Sequence, residues 1–431
     1  MIAHGLSYKK KAFLRWCHPK LLYLLAYIWR RLLFRTTFIA ITGSVGKTTT
    51  KECIAAIFSA HFRTAKTLYN QNDFHGVPRT ILRVRPWHRF AVVEIGTGRR
   101  GMVRTLARLV RPHIAIVLAV ARTHTNFFKT LDETAREKAQ ILETLSPEGL
   151  AILNADDPRV GKMRDSCECR AKTFGLSPGL DLWADEVSSK WPDRLTLRVR
   201  TQSETQWVKT NLVGIHWANS VLAALLTARA CGIALKVAAA ELEQVNPFTA
   251  RMQPVLMPSG ATILRDEENG SPDTLRAALK VFRESIATRK VLVMSDVSDS
   301  REKPRVRLRE LGKVASEIAD LAIFIGEYGH HAVKAAIASG MKPECVLDFK
   351  DLYRATLYLQ SELCSGDLVL LKGRSTDHLS RVLLAQFGPI RCWKTKCHKK
   401  IVCDLCEQLR PEFDLQAIFN QEPDALTAES N

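Results

Sequence analysis

Lys47 and Thr48 follow directly on Gly43, Ser44, Val45 and Gly46 in the stretch FIAITGSVGKTTTKE, residues 38–52. An apolar strand that runs into a glycine-bearing loop and then a helix turns backbone N–H groups and a helix N-terminus toward an anion. Gly43 and Gly46 reach backbone angles closed to other residues. Lys47 neutralises phosphate charge, and the Thr48 hydroxyl suits the Mg²⁺ that accompanies a nucleoside triphosphate such as ATP. Residues Gly43 to Thr49 are therefore the nucleotide-binding set. The general pattern has glycine five residues before its second glycine; Ile41 stands there, so this is the shortened TGSxGKTTT form.

Two further residues sit where open parallel sheets hold ligands, at the carboxyl ends of apolar strands: Glu94 after FAVV and His124 after HIAIVLAVART. A carboxylate there can hold Mg²⁺, and a neutral imidazole can hold a second ion or a phosphate oxygen. Lys138 is out of pattern. Behind a Thr130-x-x-Glu133 capping box, Leu131, Ala135, Lys138, Leu142 and Leu145 fall on one helical stripe. An unpaired buried ammonium is unfavourable, so Lys138 must snorkel, pair with a carboxylate or be chemically altered, and spacing alone favours snorkelling.

These residues need strands to carry them. FAVVEIG, HIAIVLAV and GLAILNADD alternate with helical patterns, which predicts a parallel sheet with crossover helices. From about Thr173 to Val213 short alternating pieces such as RLTLRVR predict appended antiparallel strands, and a helix follows over Ala218–Cys231, stopped by Gly232. ATILRDEENG, KVLVMSD, DLAIFIG, ECVLDF and DLVLLKG then read as a second α/β domain. The expected division is 1–37, 38–245, 246–388 and 389–431.

The 431 residues carry a formal charge of +19, 46% hydrophobic side chains and 25% charged ones, an ordinary globular balance with a preference for acidic partners. Much of the excess lies near the ends. Eleven scattered cysteines beside a nucleotide loop point to a reducing cytoplasm. Residues 1–37 lack a cleavage site and a span; Leu21, Leu25, Ile28 and Leu32 at helical spacing, flanked by Lys9, Lys10, Lys11, Arg15, Lys20, Arg30, Arg31 and Arg35, fit either a peripheral helix at the inner membrane face or a helix packed on the core. In the tail, Cys392, Cys397, Cys403 and Cys406, with His398 adjacent, offer four thiolates to a structural Zn²⁺, with free or redox-active thiols as the alternative. Nucleic-acid binding is disfavoured, because the basic ends lack interleaved aromatics or a recognition module.

With these motifs in hand, the chain resembles the Mur ligase family, and within it the branch that adds D-alanyl-D-alanine to a muramoyl tripeptide of peptidoglycan. The motifs run in order over about 38–385: TGSVGKTTTKE, TLYNQNDFHGVP, VVEIGTGRRG, VARTH, AREKAQIL, LNADD, GIHWANSVLAA, FTAR, DEENGSPDTLRAAL and LVLLKGRS. The resemblance implies a P-loop central domain, its parallel sheet extended by antiparallel strands, and a Rossmann-like C-terminal domain. It implies ATP and Mg²⁺ as cofactors, with Thr48 and Glu94 holding one ion, and His124 and a carbamylated Lys138 the second. Lys47, His124 and Lys138 become the catalytic group. Asn219, Arg251, Asp266 and Asn269 match nucleotide-contacting positions, Asn70 and Asn72 a loop near the acyl substrate, and Lys372 and Arg374 the substrate-binding KGRS segment.

The implied reaction is ADP-forming: a substrate carboxylate becomes an acyl phosphate, and an amino acid or peptide amine displaces phosphate. The chain departs from the pattern in reaching its P-loop within about forty residues, where the family places a domain for the sugar nucleotide, and in reading DEENGSPDT for DxYNANPDS and KGRS for KGSR. An altered acceptor pocket and a partner that supplies the substrate domain are expected. The reading from a different class is a non-catalytic nucleotide-gated scaffold that binds membrane or protein through its basic helix and cysteine tail.

Overall fold

The computed structural model describes residues 19–122, 127–297, 300, 302–394, 397, 403–409, 411 and 413. They form two compact units. One runs to Val187 and takes in Thr196–Thr210 and Trp217–Val245; the other comprises Ser188–Leu195, Asn211–His216 and the chain from Asn246.

The first unit is built on nine strands: β1 Thr37–Thr42, β2 Thr64–Lys66, β3 Phe90–Glu94, β4 Ile114–Val117, β5 Leu150–Asn154, β6 Arg170–Gly175, β7 Leu182–Ser188, β8 Thr196–Arg200 and β9 Thr205–Lys209. Their order is β2-β3-β1-β4-β5-β6-β7-β8-β9. β3, β4 and β5 are buried at every position and β1 at all but its first residue, as expected of parallel strands covered on both faces. β1 lies parallel to β3 and β4, with Ile41 beside Glu94 and Thr42 beside Val117, so the loop after β1 leaves next to Glu94. Within the 173–213 stretch the appended antiparallel strands predicted from RLTLRVR and the piece after it are β8 and β9. β6 and β7 continue the parallel run before them, and the β8–β9 hairpin is antiparallel, its alternating burial matching one solvated face. The following helix, Ala218–Ala230, is buried almost throughout, and Gly232 takes the left-handed backbone that ends it.

An N-terminal helix, Pro19–Leu32, packs on this unit through Leu22, Ala26 and Arg30. The Arg30 guanidinium lies 3.9 Å over the Phe38 ring and donates to the carbonyl oxygens of Val110 and, at 2.7 Å, Arg111. It thus caps the carboxyl end of the helix Met102–Val110. The outer face stays apolar: Leu24, Ile28 and Leu32 are 50–59% exposed and Phe34 is 77% exposed. Among the described residues no helix is long and apolar enough to cross a membrane.

The second unit holds β10 Gln253–Leu256, β11 Thr262–Asp266, β12 Arg289–Met294, β13 Leu321–Ile325, β14 Val346–Phe349 and β15 Asp367–Lys372, in the order β10-β11-β15-β12-β13-β14. β10 pairs antiparallel with β11 and the other pairings are parallel. Helices Pro272–Glu284, Pro304–Ile318, Gly329–Ala338 and Leu352–Glu362 supply the crossovers and close two apolar layers, one centred on Phe282 and Phe324 and one on Ile323 and Leu359.

Candidate active site

The loop after β1 is held by close backbone approach. A Cβ on Gly43 would meet the Leu118 side chain at 2.9 Å; Gly46, at φ 82°, is in the left-handed region and opens the helix Lys47–His61. Ser44 ties the loop to the exit of β4: its N–H donates to Ala119 O at 2.8 Å, its hydroxyl donates to Ala121 O at 3.1 Å and accepts from Ala121 N at 2.9 Å. That exit is the VARTH segment. His124 itself lies outside the described residues. The Lys47 ammonium donates to Gly43 O at 2.7 Å, folded over the loop it serves. Asn219 opens the helix beside the loop; its Oδ1 is buried with no hydrogen-bond partner, while the next residue, Ser220, reaches Gly46 O at 3.5 Å.

Glu94 is buried at the end of β3 and accepts from the Thr48 hydroxyl at 3.0 Å and from the Asn72 amide at 2.7 Å. Two hard oxygens at the head of a phosphate loop are the donor set Mg²⁺ takes when substrate phosphates and water complete its shell. Asn72 is thus placed on the metal-type carboxylate, and Gly96 must be glycine because a Cβ would strike Asn72 Oδ1 at 2.4 Å. Asn70 is exposed two residues earlier and its carbonyl accepts from Asn72 N. Sequence reading missed Lys51, which is fully buried, 2.9 Å from Glu52 and 3.9 Å from Glu94. A lysine four residues past Lys47, one turn up the same helix, is the signal that marked it.

Lys138 does not snorkel. The capping box forms as predicted, Thr130 Oγ1 accepting from Glu133 N at 3.1 Å, while the Glu133 carboxylate reaches Lys129 N. The helix, however, stops at Ala139, and the predicted continuation to Leu145 is a 3₁₀ turn over Leu142–Thr144. Lys138 is 1% exposed and its Nζ donates to Thr97 Oγ1 at 3.2 Å. Burial, with the Lys47 ammonium nearby, holds its amine well below the usual lysine range. Glu137 beside it does not neutralise it by contact; its two oxygens cap the helix Met102–Val110 through Gly101 N and Val103 N.

The remaining candidates belong to the second unit. Asp266, at the end of β11, pairs with Lys372 at 2.7 Å and accepts from Met252 N. Lys372 is 1% exposed and also donates to the carbonyls of Asp266 and Asn269. It is thus an internal tie of the 266–269 turn, where the sequence had grouped it with the substrate. Burial raises the Asp266 carboxyl against the lowering pull of Lys372 and Arg251. Arg374 is half-buried and paired with Asp377 at 2.7 Å.

The four tail cysteines, read from sequence as zinc ligands or as free thiols, carry free thiols in this structure. Among the described residues no group of three or more His, Cys, Asp or Glu side chains is gathered as a metal cage requires. Cys392 and Cys403 instead enter an apolar cluster with Leu384, Ile390 and Leu409, and Cys403 Sγ lies 3.4 Å from His378 Nδ1. Close cysteine spacing in sequence fixes chain proximity alone, and the two buried thiols sit with apolar side chains.

Comparison with known proteins accords with this geometry. The Mur ligase middle domain matches residues 41–228, and the Mur ligase glutamate ligase domain residues 250–375. UDP-N-acetylmuramoyl-tripeptide–D-alanyl-D-alanine ligase of Escherichia coli (strain K12) is 30% identical over 319 residues, 72% of this chain and 69% of that protein. The enzyme of the same name from Treponema pallidum is 28% identical over 80% of this chain and 73% of its own. A crystal structure of MurF from Acinetobacter baumannii superposes with a TM-score of 0.79 at 26% identity, covering 85% of this chain and 80% of that one. The chain belongs to the Mur ligase family of ATP-dependent, ADP-forming amide ligases.

Proposed function

We propose that the Gly43–Thr49 loop, Glu94 and Lys138 form the centre at which this ligase phosphorylates a substrate carboxylate, and that a peptide amine then takes the acyl group. The observation that carries this is the hydrogen bond from half-buried Thr48 to buried Glu94 at the head of a phosphate loop. Thr48 and Glu94 would hold Mg²⁺, with Asn72 fixing the carboxylate. When bound, the ion supplies charge neutralisation along the phosphates. The loop N–H groups and Lys47 orient the γ-phosphoryl group and take up charge that grows on it. The substrate carboxylate oxygen bonds to the γ-phosphorus as the bond to ADP breaks; the amine nitrogen then attacks the acyl carbon, phosphate leaves and the nitrogen loses a proton.

Lys138 suits modification better than it suits a free ammonium. Its depressed basicity favours the neutral amine, the form that adds to CO₂ to give a carbamate and a proton, and the carbamate would be a second anionic oxygen ligand near Lys47. The names of the relatives point to D-alanyl-D-alanine as amine and a UDP-N-acetylmuramoyl tripeptide as acid, and these are the first substrates to try. Glu268 and Ser271 replace the family's tyrosine and asparagine in the DEENGSPDT turn, which favours a related but altered acceptor. The N-terminal helix rests, in this reading, on an anionic membrane surface through its exposed Leu24, Ile28, Leu32 and Phe34, with the exposed Lys20, Arg31 and Arg35 as cationic flanks.

The test is ADP and phosphate release from MgATP with bicarbonate, the tripeptide acid and D-alanyl-D-alanine, beside Lys47→Ala. ADP formation that needs both acid and amine and vanishes in the variant is expected. Tight ATP binding without turnover, across broad pools of acids and amines, would overturn the ligase reading in favour of a scaffold.

A further inference from the structure

The second unit contains a cavity of about 460 Å³ lined from the carboxyl ends of β12, β13, β14 and β15. The chain passes from β12 outward to β13 and β14 and returns with β15 on the other side of β12, so the cavity opens where strand order reverses, the place such sheets put ligands. Arg307 pairs with Asp296 at 2.6 Å, Arg374 with Asp377, and Ser295 donates to Asp377 at 2.5 Å, a network that keeps these charges in fixed positions.

One wall comes from beyond the family match, which ends at residue 375. Trp393 and Lys394 line the cavity, Trp393 packing edge-on to Tyr353 with ring centres 5.1 Å apart. Their position is built in. The Lys394 carbonyl accepts from fully buried Arg381 at 2.6 Å, Arg391 N donates to Leu409 O, and Asp404 forms a two-pronged ion pair with buried Arg265 at 2.6 and 3.1 Å. Hydrogen bonds at Arg391 N and Lys394 O thus fix the backbone that carries Trp393 and Lys394.

The lining carries four basic and four acidic side chains. That balance suits a zwitterion and suits neither a nucleotide, which asks for net positive charge, nor a polyamine. We propose that Trp393 and Lys394 determine specificity for the amine substrate, selecting a peptide whose terminal carboxylate meets Lys394 and whose side chain lies against Trp393 and Tyr353. This rests on the ligase reading and assigns the tail, which that reading leaves without a role, to substrate choice.

The experiment titrates wild type, Trp393→Ala, Trp393→Phe and Lys394→Gln with D-alanyl-D-alanine, D-alanyl-D-phenylalanine and their C-terminal amides in the presence of MgADP. In parallel, hydroxylamine traps the acyl phosphate without any amine substrate. Lys394→Gln is expected to weaken the free acids about tenfold and leave the amides unchanged, Trp393→Ala to weaken the phenylalanine peptide about tenfold with rescue by Trp393→Phe, and hydroxamate yield to stay at the wild-type level in all. Equal acid-to-amide ratios in wild type and Lys394→Gln, or wild-type affinities in Trp393→Ala, would overturn the proposal. Absence of dipeptide binding to the wild type would overturn it too. Loss of hydroxamate from the wild type refutes the ligase reading alone, since the titrations read the cavity directly.

Discussion

The Thr48 hydroxyl donates to the Glu94 carboxylate at 3.0 Å, joining the first turn of the phosphate-loop helix to the end of a strand 46 residues later. Neither oxygen is freely solvated, so both are oriented before a metal arrives. Glu94→Gln should lower kcat about 100-fold or more at saturating MgATP, and Thr48→Ser should retain most of it where Thr48→Ala does not. Steady-state ADP release checks this; undiminished kcat in the Glu94→Gln enzyme removes Glu94 from the centre.

Asn72 donates to the same carboxylate at 2.7 Å. As a positioning residue it should move the Mg²⁺ dependence of the reaction: Asn72→Ala is expected to reduce apparent Mg²⁺ affinity by about 10- to 100-fold, with the KM of the acyl substrate unchanged. A shift confined to that KM would return Asn72 to the substrate loop suggested by sequence.

Lys138 gives a pH signature. Its folded-state affinity for protons lies well below that of the unfolded chain, so below the ordinary lysine range the unfolded chain holds a proton that the folded one lacks. The folded state is therefore disfavoured increasingly as pH falls from about 10.5 toward the depressed value. In CO₂-free buffer, Lys138→Met should be stabilised relative to wild type by a margin that widens on this descent. Melting curves across the range check it, and a margin independent of pH would mean the amine is protonated in the fold.

Asp404 and Arg265 are buried together, with Glu267 on the same guanidinium. Asp404→Asn should destabilise the second unit by about 3–5 kcal/mol, because it breaks a buried pair from one side, and a joint Arg265→Met, Glu267→Leu, Asp404→Leu change, which leaves no buried charge unpaired, should recover much of that loss. Denaturant unfolding of the full chain measures both.

The outer face of the Pro19–Leu32 helix is expected to hold the protein on vesicles rich in phosphatidylglycerol, with release by salt. Leu24→Ser with Ile28→Ser should reduce co-sedimentation at least tenfold without lowering ADP formation in solution, since the inner face through Leu22, Ala26 and Arg30 is left intact. Equal sedimentation of variant and parent would assign that face to something other than lipid.

The sequence made the phosphate loop, Glu94 and the capping box at Thr130 legible because each is a local pattern whose meaning does not depend on distant neighbours. Lys138 was legible as an anomaly; spacing alone favoured snorkelling, the resemblance implied burial, and the side chain is buried. Stripe spacing reports which face a residue occupies, and it carries no information on depth; depth came from Thr97, on a different strand exit. Asn72 and Lys372 were picked out through the resemblance, yet their side chains turn to Glu94 and Asp266, and such partners are set by strand register. The tail shows the same limit. Four cysteines dominate its text, while the side chain that anchors it is Asp404, whose partner Arg265 lies 139 residues earlier.

Ser44 both donates to and accepts from the backbone of Ala121. One hydroxyl thus acts as a coupling pin between the segment that would grip phosphate and the segment that leads toward residue 124. Moving either segment alone would strain both hydrogen bonds at once, so the pair is built to shift as one. A probe attached near Arg122 is therefore expected to change its signal when nucleotide fills the loop, and an unchanged signal would show that the two segments are not coupled.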